Sequence, residues 1–471
     1  MRVFRMTIEC LSPLHCGSGE NSWLQDQPVV RDAFGYWTIP GTSLTGALRS
    51  LAERIAPNLA GRLFGGEKAS LFWSSDARLL DYDGYPALEK QLAGKEVSLP
   101  MGPFLRDHVR LDAESETAQK GGKFDEEIVP AGTRFAMEFA FDPWERNDIE
   151  QELALFDQLC ALAVAGVMPL GAHGTNGMGG YRAIKSECRD FDLHTFAGMQ
   201  EWLRLSSGTD FSQDGGSEVK LPEAPAFSHK DEISGTLTIP FEAAGPLIVG
   251  GGSALESGDN IVFATSPVLN YNDEKKRLTE RFVIPGSSIK GGFRHAMYRI
   301  CRARGLEEQK AAKRMNSLFG YAEGDSAQRG KLSFNEVSLG DVRPLSVPHV
   351  AIDRFSGGTL DGALFSEGPV WKQGLRVSIS ISFEGLSPVE AALLFHALFD
   401  MAEGELPLGG GSGRGCGRLR LEGWADDPAK ALSAWGGTLY WEGSSIPVSD
   451  TEAMIAVFTR LDEEWDKAVT A

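Results

Sequence analysis

Apolar and polar side chains alternate through the first ten residues, MRVFRMTIEC, a period of two that predicts a strand with one buried face. The period then changes. Leu44, Ala47, Leu48, Leu51 and Ile55 recur at helical spacing and predict an amphipathic helix opened by Pro40-Gly41-Thr42-Ser43. Ile289, Phe293, Met297 and Ile300 predict the same kind of helix after Pro285-Gly286. Two further stripes each predict a later helix that runs into a P-L-G stretch. One is Leu153, Phe156, Leu159, Cys160 and Ala163; the other is Val389, Ala392, Leu393, Phe395 and Phe399.

The pairing of these elements reflects an internal repeat. PLHCGSGENSWLQDQPVVRD leading into YWTIPGTSLTGALRSLAERI is echoed by GPLIVGGGSALESGDNIVFATSPVL leading into RFVIPGSSIKGGFRHAMYRICR. The correspondence continues in order through L-F-G, through RDHVRLDAESETAQKGGKFDEEIVPAG with SVPHVAIDRFSGGTLDGALFSEGPVWKQG, and through PLGAHGTNGMGGYR with PLGGGSGRGCGRL. A repeat of this length is a whole domain rather than a solenoid turn. The expected units are 1–190 and 232–430, joined by a Ser-, Gly- and acid-rich linker over 191–231. A helical tail is expected over 431–471, from the helical spacing between Thr451 and Val469. The order strand, helix, strands, helix, strand predicts an α+β chain of two tandem ferredoxin-like domains, helices on one face of each sheet.

Composition narrows the functional classes. The chain has 471 residues, 42% apolar and 24% charged, with no apolar run near the roughly 18 residues that span a bilayer and no secretory h-region. A protein that stays in the cytoplasm and does not enter a membrane is expected. Its six cysteines lack metal-ligand spacing and read as reduced thiols. A net charge of −19 argues against non-specific coating of nucleic acid, which rests on many Lys/Arg–phosphate contacts. Residues 270–320 nevertheless carry twelve Lys/Arg against five acids, a local polyanion-binding face or a solvated helix surface.

The motifs exclude the common nucleotide sites. GSSIKGG places its lysine wrongly for a phosphate-binding loop, and GGGSGRGCGR follows a helix instead of a strand. The two I-P-G-[TS]-S segments, with Ser43 and Ser288, suit either a phosphate at a helix start or a tight turn. Arg49, Lys290 and Arg294 lie on the adjoining helical turns. Glycines such as Gly171 and Gly410 let the main chain approach a ligand closely. His108 and His349 stand at matched positions, and His15 lies near Asp26; an imidazole acid–base pair and hydrogen-bonded structural or RNA-contacting histidines are both open readings. Phe124 and Phe365 could wedge against a base or pack within their own domain, and Asp112 and Asp353-Arg354 shape the same segments or contact RNA.

Taken together, the paired P-G-[TS]-S-[IL]-[KT]-G helix starts, L-F-G, the H-V-x-[IL]-D segment and the Gly-rich ends resemble the RAMP superfamily of CRISPR-associated proteins. The likeness is to the Cas-seven family, the backbone subunits of type III effector complexes, with two copies fused. It implies an RRM-like, ferredoxin-related domain with a β-hairpin thumb in each copy. It also implies assembly with other type III subunits along a CRISPR guide RNA, whose base pairing selects a complementary target RNA. The guide-contact residues it suggests are Arg31, Ser43, Arg49, His108, Gly171, Ser288, Lys290, Arg294, His349, Gly410 and Arg414.

Active members of the family cut target RNA with an aspartate between the first strand and the I-P-G helix, which points here to Asp26. A divalent ion, Mg²⁺ or Mn²⁺, is expected to assist, its ligands unassigned. In the second copy, counting forward from Gly252 gives Asp259, whereas counting back from Pro267 gives Thr265; Asp259 is taken as a second cutter, with Asp273 as a substitute. Asp32 is read as a turn residue. The alternatives are a non-catalytic guide scaffold and a guide-precursor-processing endoribonuclease using His15 or His108.

Overall fold

The computed structural model describes every residue except 20–25, 67–68, 112–117, 144–147, 206–214, 226–231, 252–259, 262, 274–276, 324–325, 425 and 471. Each half builds an antiparallel sheet around its first strand. In the first half Arg2–Cys10 lies between Arg134–Phe141 and Tyr181–Asp190, with Ala77–Leu79 and Thr38–Ile39 extending one side. In the second, Ile233–Ala243 pairs with Arg376–Leu386, which in turn pairs with Leu332–Phe334. Alternate residues of the inner strands, Phe135, Met137 and Phe139 or Val377, Ile379 and Ile381, are buried, as one-faced sheets require.

The helical stripes lie where the periodicity places them. Helices Gly41–Ile55 and Glu150–Val164 cover the first sheet with Leu44, Leu48, Leu51, Phe156 and Leu159. Gly286–Ala303 and Pro388–Glu403 cover the second with Ile289, Phe293, Met297 and Leu393. The last helix, Thr451–Thr470, docks Met454, Val457, Leu461 and Trp465 into the second core.

Two boundary segments differ from the sequence reading. The region after residue 431 is not wholly helical: Gly436–Trp441 and Ser444–Pro447 form a hairpin that adds to Ile233–Ala243. This hairpin completes an edge which the two-residue strand Leu419–Arg420 leaves short, where the first half has the ten-residue Tyr181–Asp190. The joining region likewise carries a helix, Phe196–Leu203, and a short strand, Ser217–Glu218, that pairs with Tyr181–Asp190.

A hairpin leaves each domain: Leu105–Leu111 with Ala118–Glu127 in the first half, and Val347–Ile352 with Thr359–Glu367 in the second. The halves pack on each other. Leu269 inserts into the first core, and the Tyr271 hydroxyl donates to Leu80 O at 2.6 Å. Arg106 pairs with Glu336 at 2.6 Å and donates to Ser266 Oγ at 3.1 Å, both partners lying in the second half.

Candidate functional site

The base of the first hairpin gathers a dense set of polar side chains. Its ladder sets Arg106 opposite Glu126, Asp107 opposite Asp125 and His108 opposite Phe124, so successive pairs face opposite sides. The loop that follows the first strand comes alongside: Gln27 bridges Glu126 in parallel, and Asp26 and Asp125 exchange bonds. The Asp26 amide donates to Asp125 Oδ1 at 2.9 Å, and the Asp125 amide donates to Asp26 Oδ2 at 3.1 Å. Glu127 secures the loop from below by accepting from the Val29 amide at 3.0 Å and from Arg31 at 2.5 Å. Asp26 is exposed.

Asp26, Asp107 and Asp125 thus share one end of the hairpin, with Lys123 3.8 Å from Asp107. Like charges directly opposite on a ladder are unfavourable, so this surface is suited to a positive partner. Among the described residues no group of three His, Cys, Asp or Glu side chains is placed to hold a metal ion. The exposed Asp26–Asp125 pair does fit the way Mg²⁺ is bound, by one or two carboxylates together with substrate phosphates.

On the opposite side of the strand, Glu126 is fully buried beneath three imidazoles. His108 Nε2 donates to Oε2 at 2.9 Å, while Oε1 has His15 Nδ1 at 3.3 Å and His173 Nε2 at 3.2 Å. His15 Nδ1 also donates to the carbonyl of Glu127 at 2.8 Å. Burial works to raise the Glu126 carboxyl, but the His108 bond and the neighbouring imidazoles outweigh it and hold its pKa below the ordinary value. His173 is shifted down, chiefly by burial, with Glu126 opposing and His15, His108 and Lys290 assisting. His15 and His108 are largely buried and committed to these contacts, which does not favour an exposed imidazole acid–base pair.

The second hairpin repeats part of this arrangement. His349 stacks on Phe365 at 5.2 Å and 23°, as His108 stacks on Phe124 at 4.9 Å and 14°, and His349 Nε2 lies 3.0 Å from Glu367 as His108 does from Glu126. Bridges from Asn260 to Ser366 and from Ile261 to Glu367 place Asn260 where the first half has Asp26, Ser366 at Asp125 and Pro348 at Asp107. The structural register therefore selects neither Asp259 nor Thr265, and Asp259 lies outside the described residues, as does Asp112. Arg414 pairs with Glu367 at 2.5 Å, where the first-half glutamate instead meets the further imidazoles of His15 and His173.

Several expected RNA contacts have protein partners. Arg31 bonds Glu127, Met101 O and Gly35 O, and Arg49 pairs with Glu53 at 3.0 Å. Lys290 donates to Thr175 Oγ1 at 2.7 Å across the junction of the halves, and burial lowers its pKa to about 8. Arg294 donates to Asn316. Ser43 is exposed, and Ser288 is half-buried.

The glycines correct the ligand-approach reading. A Cβ on Gly171 would lie 2.3 Å from His15 O, and one on Gly286 2.2 Å from Asn176 O and Phe334 O, so the close neighbour is the chain itself. Gly410 donates its amide to Ile248 O at 2.7 Å. At the first helix start the Gly41 amide is already taken by Asp76 Oδ1 at 2.7 Å, which weakens the phosphate reading there. Asp32 caps its turn by accepting from Phe34 and Tyr36.

Asp107, Asp125, Glu126 and His173 were not singled out from sequence. The signal was present for Asp125: FDEE in the first copy faces FSEG in the second, conserving the glutamate and changing the aspartate to serine.

Comparison with known proteins agrees with this duplicated architecture. The model of the RAMP superfamily matches residues 7–182 and 240–420, so the chain belongs to that superfamily, twice over. It is similar to the CRISPR system Cms endoribonuclease Csm3 of Methanocaldococcus jannaschii, 29% identical over 207 residues, covering 39% of this chain and 79% of the relative. Among solved structures it resembles a chain of the type III-B Cmr-beta complex in the apo state, determined by cryo-electron microscopy. That match has 21% identity and a TM-score of 0.29 and covers 39% of this chain and 97% of the other. Among the described residues no helix is long and apolar enough to cross a membrane.

Proposed function

We propose that this chain is a backbone subunit of a type III CRISPR interference complex that holds guide RNA on both halves and cleaves complementary target RNA on the first half only. The observation that carries this reading is the carboxylate set Asp26, Asp107 and Asp125, replaced by Asn260, Pro348 and Ser366 on an otherwise matching hairpin. The superfamily membership and the endoribonuclease named among its relatives support it. In this reading the Asp26 carboxylate accepts the proton of a target ribose 2′-OH. The O2′–P bond forms, the P–O5′ bond breaks, and the leaving oxygen takes a proton from water. Asp26 and Asp125 would hold Mg²⁺ or Mn²⁺ against the substrate phosphate, the ion's contribution being to neutralise charge developing there. The second half, with its retained His349–Phe365 stack and Arg414–Glu367 pair, grips without cutting.

The test is cleavage of end-labelled complementary RNA by the reconstituted guide complex with Mg²⁺ or Mn²⁺. Asp26→Ala should remove this chain's product by about 10²-fold or more, the usual scale for losing a proton-transfer group, with guide content unchanged. Survival of every product at normal assembly would make the chain a scaffold.

A further inference from the structure

His173 stands in the turn Ala172–Asn176 with a left-handed backbone, φ 58°. The turn itself demands that conformation: its counterpart in the second half, Gly411, has φ 72° and is a glycine. A side chain there carries a backbone penalty that glycine avoids. Residues held so at a cost call for a role of the side chain.

The side chain meets an incomplete partner. Glu126 is wholly buried and its Oε1 has no well-aligned hydrogen bond; His15 Nδ1, 3.3 Å away, donates instead to the Glu127 carbonyl, and His173 Nε2 lies nearer, at 3.2 Å. Glu126 in turn belongs to the strand against which Gln27 is bridged and, one residue earlier, Asp26 is bonded. The same turn is pinned to the second half, where Lys290 donates to Thr175 Oγ1 and Ser333 Oγ donates to Gly174 O at 2.8 Å. In the second half this set is absent as a group: Gly411 replaces His173, Ile248 replaces His15, and Asn260 replaces Asp26, while a permanent cation, Arg414, sits on Glu367.

We propose that His173 is a positioning residue of the first-half site, whose imidazole stands against the buried Glu126 carboxylate and so fixes the strand that carries Asp125 and seats Asp26. This rests on the function proposed above. It assigns the imidazole no contact with substrate; its effect passes through Glu126 to the placement of the carboxylates.

Two variants test it in the guide complex. His173→Gly installs the residue that the same turn uses in the other half, so the backbone is not strained. His173→Asn tolerates a left-handed backbone and keeps an N–H donor. With target RNA saturating, His173→Gly should slow the cleavage step by about tenfold, the scale set by a sub-ångström misplacement of a reacting group, with target affinity and guide content unchanged. His173→Asn should recover most of the rate. Wild-type cleavage by His173→Gly, or loss of guide content in step with cleavage, would overturn the proposal. Asp26→Ala, run alongside, separates the two claims: if it cleaves normally the proposed function fails and this inference with it, whereas an inactive Asp26→Ala beside a normal His173→Gly removes the inference alone.

Discussion

Asn260 stands in the second half at the ladder position that Asp26 holds in the first, each one residue ahead of a parallel bridge to a buried-side glutamate, Glu367 or Glu126. An amide at that position has no proton-accepting carboxylate and no charge for a cation. The neighbouring change of Asp125 to Ser366 removes the second carboxylate, so the difference is concerted.

Asp259→Ala should consequently leave the product pattern of the guide complex unchanged. Asn260→Asp alone should also leave it unchanged, because Ser366 cannot replace Asp125. Asn260→Asp with Ser366→Asp should create one additional product, displaced along the target from the Asp26 product. Loss of a product in Asp259→Ala on a sequencing gel would instead place a cutter in the second half.

The His173 imidazole links stability to pH. Its folded pKa is depressed, first by burial and then by His15, His108 and Lys290 against the opposing pull of Glu126. A depressed group contributes stability that is present above its unfolded value and is lost as pH falls through the folded value. The urea midpoint should therefore decline as pH drops below about 6.5, the ordinary imidazole value. His173→Gly should make that decline shallower, a comparison read directly from unfolding curves at a series of pH values.

Much of the architecture was legible because it is written in periodicity. The Leu44–Ile55 and Ile289–Ile300 stripes, the paired P-L-G ends and the order of landmarks each report a local rule that burial enforces. The site was legible only in part. Asp26 could be reached through its loop, but Asn260 could not, since the second loop is longer and counting from either end slips; only the ladder to Ser366 and Glu367 fixes the register. Likewise Lys290 and Arg31 look like free cations in sequence, because nothing local says that Thr175 and Glu127 will meet them. The hairpin after residue 436 went unseen because its partner strand, Ile233–Ala243, lies about two hundred residues away along the chain.

Glycines on one helix should respond in opposite directions. Gly286 begins Gly286–Ala303 with Asn176 O and Phe334 O each 2.2 Å from where a Cβ would sit, and both are main-chain atoms that cannot swing aside. Gly291, in the same helix, meets nothing within 4 Å. Gly286→Ala should loosen the junction of the halves and lower the melting temperature, whereas Gly291→Ala should stabilise by about 0.5–1 kcal/mol through helix propensity. Equal effects from the two in calorimetry would mean that the close approach at Gly286 does not constrain the junction.

Arg106 offers a sharper probe of how the halves are coupled. It rises from the first hairpin, nearly buried, to pair with Glu336 of the second half, itself little exposed. Removing one member of a buried pair strands the other charge, at a typical cost of about 3–5 kcal/mol, whereas replacing both with apolar residues of similar volume is often close to neutral. Arg106→Ala should accordingly destabilise by about 3 kcal/mol and split the unfolding transition, as the second half loses its hold on the hairpin base. Arg106→Met with Glu336→Leu should restore a single transition near the wild-type midpoint. Because Arg106 shares its ladder pair with Glu126, the single variant should also lower target cleavage, and the double variant should recover it only if the apolar pair keeps the hairpin base in place. Chemical denaturation followed by tryptophan fluorescence, with cleavage measured on the same preparations, distinguishes a junction that merely holds the halves together from one that also sets the geometry of Asp26.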